Sequence, residues 1–297
     1  MSSRPKTFGE WLRWAERAYK RHGAALGQVA TSAHDEALYL LMSTLGLPLD
    51  SKQAVLKRKL TPAEAERVEE VFRRRLEEHV PAAYLTREAF LGEYRFFVDE
   101  RVIIPRSYFL ELLTEQIPHW LPASRPVKRV VDVCTGSGCL AVLLAHRFPE
   151  AKVDAIELSP DAMAVAKFNI AEHHLLKRIK LHHSDVFDAV PPVKYDVILS
   201  NPPYVPTREL RGLPEEFKRE PAMALDGGYD GLDVIRKIIR QARERLQPQG
   251  IVVLEVGGLR AAIDRAFPEL DLHWLHTEDG EDCVCVIQAA RLVGGRL

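Results

Sequence analysis

The chain passes directly from a strand into a helix at Val131-Asp132-Val133-Cys134-Thr135-Gly136-Ser137-Gly138-Cys139-Leu140. Gly136 and Gly138 allow positive φ and a close approach of the backbone, so a ligand can lie against the main chain where the helix begins. From residue 127 onward, strand patterns alternate with helix patterns. This order predicts an α/β fold with a doubly wound, mostly parallel sheet, in which ligands bind at the carboxyl ends of the strands.

Seven strands and four helices are predicted in this part of the chain. The strands are expected at residues 130–134, 152–157, 179–183, 195–200, 251–256, 270–276 and 283–289. The helices are expected at residues 138–147, 160–173, 231–246 and 258–267. The last two strands would close the sheet as a pair.

The first part of the chain has helical spacing from residue 8 to about residue 80. Thr61-Pro62-Ala63-Glu64 is a capping box with proline at the first helical position, which predicts a helix to about residue 79. Two short strands around Gly92-Glu93 and a helix at about residues 107–120 are expected next. The predicted organisation is a helical substrate-recognition domain at residues 1–86, a hairpin and helix linker at residues 87–126, and a catalytic domain at residues 127–297.

Composition narrows the classes of protein. The 297 residues are 46% hydrophobic and 28% charged, with a net charge of -1, whereas proteins that grip nucleic-acid backbones are usually basic. No apolar run approaches the ~18 residues of a membrane span, and the polar start has no signal-peptide core. The cysteines form no CxxC pair, which argues against zinc and a disulfide framework and favours a cytoplasmic location. They are Cys134, Cys139, Cys283 and Cys285.

A second motif, Asn201-Pro202-Pro203-Tyr204, follows the continuous apolar strand at residues 195–200. The Asn201 side chain offers a carbonyl acceptor, and Pro202 contributes a carbonyl without a competing N–H. Together they could take both hydrogens of a planar –NH2 group while the Tyr204 ring covers its flat face. Asn-Pro is also a common opening for a turn, so the motif by itself leaves that reading open.

A carboxylate lies at the spacing that a ribose needs. Glu157 ends the next predicted strand, 19 residues after Gly138, where it could accept hydrogen bonds from both ribose hydroxyls. A nicotinamide dinucleotide is the alternative, but it normally requires a third glycine where this chain has Ala141. Asp132 would repel a diphosphate and attract an ammonium or a sulfonium. Those charges favour S-adenosyl-L-methionine, which carries both.

These motifs, taken in order, resemble the class I methyltransferases that act on planar nitrogen. The resemblance depends on Asp132-Val133-Cys134-Thr135-Gly136-Ser137-Gly138, Glu157, Ser184-Asp185 and Asn201-Pro202-Pro203-Tyr204. Within that class, Phe90-x-Gly92 followed by Val102-Ile103-Ile104-Pro105-Arg106 resembles the protein-glutamine methyltransferases over nearly the whole chain.

Two branches of this family are distinguished after Pro105. The release-factor branch usually continues Pro-Arg-Pro-Glu-Thr-Glu, whereas this chain has Pro105-Arg106-Ser107-Tyr108. With Phe8 to Tyr19, Asp35-Glu36-Ala37 and Leu47-Pro48-Leu49-Asp50, that run is more similar to the branch whose substrate is a glutamine of the third large-subunit ribosomal protein. The chain departs from this branch at Gly27-Gln28-Val29-Ala30-Thr31-Ser32, where the family has His-Gly-Thr-Asp.

The resemblance implies a role for each matching residue. The cofactor would be bound by Asp132, Cys134, Thr135, Gly136, Ser137, Gly138, Glu157, Asp185, Val186 and Asn201. The glutamine amide would be bound by Asn201, Pro202, Pro203 and Tyr204, of which Asn201, Pro202 and Tyr204 are the expected catalytic residues. No metal is expected. The implied partner is the ribosomal protein, either free or within an assembly intermediate.

Three other functions fit parts of the pattern. A release-factor glutamine methyltransferase shares the same motifs, and a nucleic-acid adenine or guanine amino methyltransferase could use the same quartet on an exocyclic amine. The near-neutral charge argues against nucleic-acid binding as the main role. A non-catalytic assembly factor that uses this fold only for binding would not need both motifs intact.

Overall fold

The computed structural model describes residues 4–51, 55–278 and 282–292. Its centre is a seven-stranded sheet with the strand order β5-β4-β3-β6-β7-β9-β8. Neighbours from β5 to β7 pair in parallel, whereas β9 is antiparallel to both β7 and β8. The predicted mostly parallel, doubly wound sheet is therefore confirmed.

The elements have the following bounds. The strands are β1 (Glu88–Leu91), β2 (Tyr94–Phe97), β3 (Arg129–Val133), β4 (Lys152–Glu157), β5 (Ile179–His183), β6 (Tyr195–Ser200), β7 (Leu246–Glu255), β8 (His273–Leu275) and β9 (Val284–Gln288). The helices are α1 (Phe8–His22), α2 (Ala33–Thr44), α3 (Pro62–Leu76), α4 (Ala82–Thr86), α5 (Phe109–Glu115), α6 (Cys139–Arg147), α7 (Pro160–Glu172), α8 (Thr207–Leu210), α9 (Ala222–Leu225), α10 (Asp233–Arg245), α11 (Arg260–Ala266) and α12 (Ala289–Leu292).

The central strands are buried because apolar layers cover both faces of the sheet. Every residue of β6 is buried, which is what a continuous apolar run predicts for a parallel strand. One face packs against α5 and α6, and the other packs against α10 and α11. The carboxyl ends of the strands are left free to support loops.

The N-terminal helices form a separate apolar cluster. Phe8, Trp11 and Phe72 are almost completely buried there. The predicted capping box is present, since the Thr61 hydroxyl accepts from the Glu64 N–H while the Glu64 carboxylate accepts from the Thr61 N–H. A smaller cluster that includes Tyr84, Val98, Ile104 and Val165 joins α4 and the β1–β2 hairpin to α7.

Several predicted bounds were wrong. The described residues 45–51 and 55–61 contain no α-helix, so the first 80 residues are not helical throughout. The helix expected at residues 107–120 ends at Glu115, and a 3-10 helix occupies Ile117–Trp120, where Pro118 has no N–H to donate. Strand β7 begins at Leu246 rather than at residue 251, with a register shift relative to β6. Strand β8 is limited to residues 273–275.

Candidate functional site

The two motifs meet because β3 and β6 are neighbouring strands. Val133 lies opposite Ser200 in the parallel pair, and the Ser200 hydroxyl donates to the Val133 carbonyl at 2.6 Å. Strands β4 and β5 extend the sheet on the far side of β3, so the order reverses between β3 and β6. Ligands bind at such a switch point, beyond the carboxyl ends of the strands. The loops that begin at Cys134 and Asn201 therefore lie side by side.

The loop after β3 is held in an unusual backbone conformation. Cys134, Gly136 and Gly138 all have positive φ, at 63°, 54° and 81°. The Thr135 N–H donates to the Ile156 carbonyl at 3.0 Å, which fixes the loop against β4. A Cβ atom at Gly138 would lie 3.3 Å from Ala166 of α7, so only glycine fits without displacement. The loop can therefore present its backbone closely to a ligand.

Glu157 joins this loop to the start of the next connection. Its carboxylate accepts from the Gly136 N–H at 2.8 Å and from the Leu158 and Ser159 N–H groups at 2.9 Å. A carboxylate has about four lone-pair sites, so these bonds leave little unused acceptor capacity. Hydrogen bonding to both ribose hydroxyls would require it to share or exchange one of these backbone donors.

Asp132 lies beneath the loop rather than in the cavity. It is fully buried and accepts from the Thr135 hydroxyl. Burial raises the pKa of the carboxyl to about 7, although hydrogen bonds from Thr135 and the Ala141 N–H act in the opposite direction. Any effect of its charge on a ligand acts through the loop and not by contact. Thr135 and Ser137 are also buried.

The residues expected near an adenine ring follow β5. Asp185 has a half-exposed side chain that pairs with Lys237 of α10 at 2.7 Å. Val186 is buried and has a φ of 54°. The preceding residue, Ser184, is fixed by a hydrogen bond from its N–H to the Glu157 carbonyl at 2.9 Å. Strand β5 lies beyond β4 in the sheet, so this connection is on the side of the β3 loop away from the quartet.

The quartet is fixed from two sides. The Asn201 amide donates to the Arg106 carbonyl at 3.5 Å, and Pro202 is buried. A Cβ atom at Gly257, just after β7, would lie only 2.7 Å from the Tyr204 ring. Burial raises the pKa of Tyr204 to about 12, so its hydroxyl stays protonated at neutral pH. The ring is therefore an uncharged surface held against the β7 connection.

A single cavity of about 510 Å³ joins the two loops. Of the predicted site residues, those that line it are Cys134, Gly136, Glu157, Asp185, Val186, Asn201 and Pro203. Asp132, Thr135, Ser137, Gly138, Pro202 and Tyr204 are not among the lining residues in the described part of the chain.

The charged lining of this cavity is mainly acidic. Among the described residues, carboxylates are contributed by Glu100, Glu157, Asp161, Asp185 and Asp226, against one guanidinium from Arg101. Such a lining suits a ligand that carries ammonium and sulfonium charges and disfavours a diphosphate. The residues present therefore fit S-adenosylmethionine, and Cys134, Gly136, Glu157, Asp185 and Val186 are the cavity residues that would hold it.

Sequence patterns did not reveal several residues around the site. Pro221, Met223 and Ala224 also line the cavity, and they belong to a connection that has no recognisable motif. Ile103 lines the cavity as well, and it belongs to the motif at residues 102–106, for which no site role was predicted. Glu255, next to Asn201, was also missed. Glu255 could have been found from its position near the carboxyl end of a predicted strand, because ligands bind at that edge of the sheet.

The chain is similar to known methyltransferases along most of its length. Residues 110–272 match the model of the methyltransferase small domain family. The chain is 44% identical over 288 residues to the ribosomal protein uL3 glutamine methyltransferase of Neisseria gonorrhoeae, with 97% of this chain and 96% of that protein covered. The protein of the same name from Burkholderia pseudomallei is 45% identical over 294 residues, with 97% and 96% covered.

A solved structure shares the fold alone. The catalytic domain of hMettl16, in complex with the MAT2A 3'UTR hairpin 1, superimposes with a TM-score of 0.50 at 16% identity. The match covers 85% of this chain and 90% of that one.

Fold and site together define an S-adenosylmethionine-dependent methyltransferase, as the sequence predicted. The chain belongs to the methyltransferase small domain family, in the branch that contains the ribosomal protein uL3 glutamine methyltransferases. In the described part of the chain, no helix combines the length and apolarity needed to cross a bilayer.

Proposed function

We propose that this enzyme methylates the side-chain amide nitrogen of a glutamine in ribosomal protein uL3. The observation that carries the proposal is that one cavity with a mainly acidic charged lining is lined both by the glycine loop after β3, through Cys134 and Gly136, and by the quartet after β6, through Asn201 and Pro203. A cationic methyl donor and a neutral planar amide are the pair of reactants that this arrangement suits. The relatives with this printed activity, at 44–45% identity along almost the whole chain, support the choice of substrate.

On the substrate side, Asn201 and Pro202 would accept the two amide hydrogens through their carbonyl oxygens. Holding both hydrogens aims the nitrogen lone pair in one direction, which an amide needs because resonance otherwise delocalises that pair. Once the nitrogen is methylated, it loses one of these hydrogens as a proton, to water or along the hydrogen bond to Asn201. Tyr204, uncharged and packed against Gly257, would lie beside the amide plane. Pro203 lines the cavity and would limit how far the amide can tilt.

On the cofactor side, Cys134 to Gly138 would hold the methionine end, Glu157 the ribose, and Asp185 with Val186 the adenine. S-adenosylmethionine supplies an activated methyl group. The protein therefore chiefly has to orient the two reactants, which can contribute about 7 to 11 kcal/mol.

The helical residues 1–86 are proposed to recognise the substrate protein, and residues 87–126 are proposed to connect them to the catalytic domain. We propose a cytoplasmic reaction, either on free uL3 or on a ribosome-assembly intermediate. The near-neutral net charge of -1 suits a protein substrate better than a nucleic-acid backbone.

Methyl-labelled S-adenosylmethionine tests the proposal against its alternatives. Purified enzyme is incubated separately with uL3, a release factor and ribosomal RNA, and labelled uL3 is digested and sequenced by tandem mass spectrometry. We expect label in uL3, on one glutamine side chain. Label confined to the release factor or to RNA, or label in none of the three substrates, would refute the proposed substrate.

A further inference from the structure

Glu255 ends β7 beside the loop that holds Asn201. Leu254 lies opposite Ser200 in the parallel β6–β7 pair, so Glu255 and Asn201 leave the sheet side by side. Glu255 is only 3% exposed. In the described part of the chain the cavity lining includes Asn201 but not Glu255. Direct contact with a substrate therefore does not explain why this carboxyl group is buried here.

Donors from the segment after Arg106 converge on one oxygen of this carboxyl group. The Ser107 hydroxyl donates to Glu255 Oε2 at 2.5 Å, and the Tyr108 N–H donates to the same atom at 3.2 Å. The Arg106 carbonyl, one residue earlier, accepts from the Asn201 amide. The same short segment thus holds both Glu255 and Asn201.

The Asn201 side chain also faces Glu255, since it is among the groups that lower the pKa of this carboxyl group. An ionised carboxylate can only accept, so Asn201 must present its –NH2 end to it. The Arg106 carbonyl requires the same end. With the –NH2 group engaged by these two acceptors, Oδ1 is the atom that remains for the cavity.

We propose that Glu255 is a positioning residue for methyl transfer, which fixes the side-chain amide of Asn201 with Oδ1 toward the substrate. The inference rests on the proposed function, since a fixed acceptor is needed only for a substrate that brings an –NH2 group. An Asn201 amide turned by 180° would present a donor to the substrate's own donors, and the reactive geometry would be lost.

The charge of Glu255 decides whether this orientation is enforced. Burial raises the pKa of Glu255 to about 7, while Ser107, the Tyr108 N–H and the charge of Arg106 act in the opposite direction. Among the described residues, the titratable groups nearby include Tyr204 after β6, whose pKa Glu255 raises, and Tyr108 and Cys283, which act on Tyr204 in the same direction.

Protonation would remove the constraint. Ser107 and Tyr108 both donate to Oε2, so the added proton is best placed on Oε1. The protonated Glu255 carboxyl group then has an O–H donor as well as acceptors, so it no longer requires Asn201 to present its –NH2 end. The turnover number should therefore rise with pH through the pKa of Glu255.

The experiment measures kcat and KM on a uL3 substrate, over about one and a half pH units on either side of neutrality. For Glu255→Gln we expect kcat to fall about 10- to 100-fold and to be independent of pH over this range. The KM of this variant for the cofactor should stay within about twofold of the wild-type value. Ser107→Ala removes a donor that lowers the pKa of Glu255, so it should shift the rise to higher pH.

Asp196→Asn is the matched control. Asp196 is a buried carboxylate that accepts from the Lys128 and Arg129 N–H groups at the opposite end of β6. This variant should lose stability but keep the wild-type pH profile. If Glu255→Gln keeps both the wild-type kcat and the rise with pH, the proposal is overturned.

A measurement that does not depend on turnover distinguishes failure of the positioning role from failure of the proposed function. The side-chain N–H signals of Asn201 in ¹⁵N-labelled protein are assigned through their loss in Asn201→Ala. We expect them to shift with pH in the wild type and to be unaffected by pH in Glu255→Gln. Signals that do not move in the wild type would refute the positioning role, whichever substrate the enzyme methylates.

Discussion

At the scale of single residues, the site combines buried carboxyl groups with backbone donors. Asp132 and Glu255 each lie at or near a strand end, and burial raises the pKa of each to about 7. Asp132 supports the glycine loop through Thr135, whereas Glu255 contacts the quartet. The two strand ends that flank β6 thus carry carboxyl groups whose pKa burial raises toward neutrality.

Asp132→Asn is expected to gain stability relative to wild type as the pH rises. The ordinary pKa of 3.8 applies to the unfolded chain and about 7 to the folded one, so the folded state binds more protons between these values. Wild-type stability therefore falls as pH rises through this window, by up to about 1.4 kcal/mol per pH unit. Asparagine does not titrate. Urea unfolding at several pH values checks this; a stability difference between the two proteins that is independent of pH would contradict it.

At the scale of elements, the connection after β7 supports the loop after β6. The Tyr204 ring packs against Gly257, where a side chain would come within 2.7 Å of it. The backbone of the same loop pairs with a later segment, since the Val205 N–H donates to the Leu225 carbonyl and the Gly227 N–H to the Val205 carbonyl. The quartet is therefore fixed by segments far away in sequence.

Gly257→Ala should displace the Tyr204 ring. We expect kcat to fall about 10- to 100-fold because the substrate amide loses its neighbouring surface, while cofactor binding measured by calorimetry is retained. Gly258→Ala is the matched control, since its Cβ atom would have no neighbour within 4 Å. Equal activity in the two variants would show that the contact with Tyr204 is unimportant.

The bounds of an element could be predicted from the sequence where its buried residues are followed closely by turn or cap residues. The strands at residues 152–157, 179–183 and 195–200 were predicted to the residue, because turn or cap residues follow each of them, at Ser159-Pro160, Ser184-Asp185 and Asn201-Pro202. Strand β7 was predicted too short, since Gln249-Gly250 resembles a turn although it lies within the strand. The pairing of β3 with β6 is a tertiary property that one sequence does not contain, and it is this pairing that joins the two halves of the cavity.

At the scale of the whole molecule, a buried ionic network joins the N-terminal helices to the segment before α9. Arg75 of α3 pairs with Glu36 at 2.6 Å and with Glu216 at 3.0 Å, and all three side chains are at most 3% exposed. Gln28 donates to Glu220, which also accepts from Arg106 at 2.9 Å. The network thus extends from the helices to the residue whose carbonyl contacts Asn201.

This network also gives a structural role to a segment that the sequence left unexplained. Gln28 lies in the stretch at residues 27–32 that departs from the family pattern, yet it is 6% exposed and also donates to the Glu216 carbonyl at 3.4 Å. Its partners are about 190 residues away in the chain. Ion pairs and side-chain hydrogen bonds between residues so far apart leave no local pattern in the sequence, so these contacts could not be predicted.

Arg75→Met should destabilise the protein by about 3–5 kcal/mol, because it leaves two carboxylates buried without their cation. The triple variant Glu36→Gln, Arg75→Met and Glu216→Gln should recover part of that loss, since it removes the buried charges together. Denaturant unfolding measures both. An Arg75→Met midpoint equal to that of wild type would contradict a structural role for the network.

The central claim is that Asn201 holds a carboxamide while the neighbouring loop holds the methyl donor. Asn201→Ala tests it most directly when calorimetry with S-adenosylmethionine is combined with methyl transfer to uL3. We expect cofactor affinity within about threefold of wild type and a fall in kcat of about 100-fold or more. Turnover retained at the wild-type rate in this variant would contradict the account.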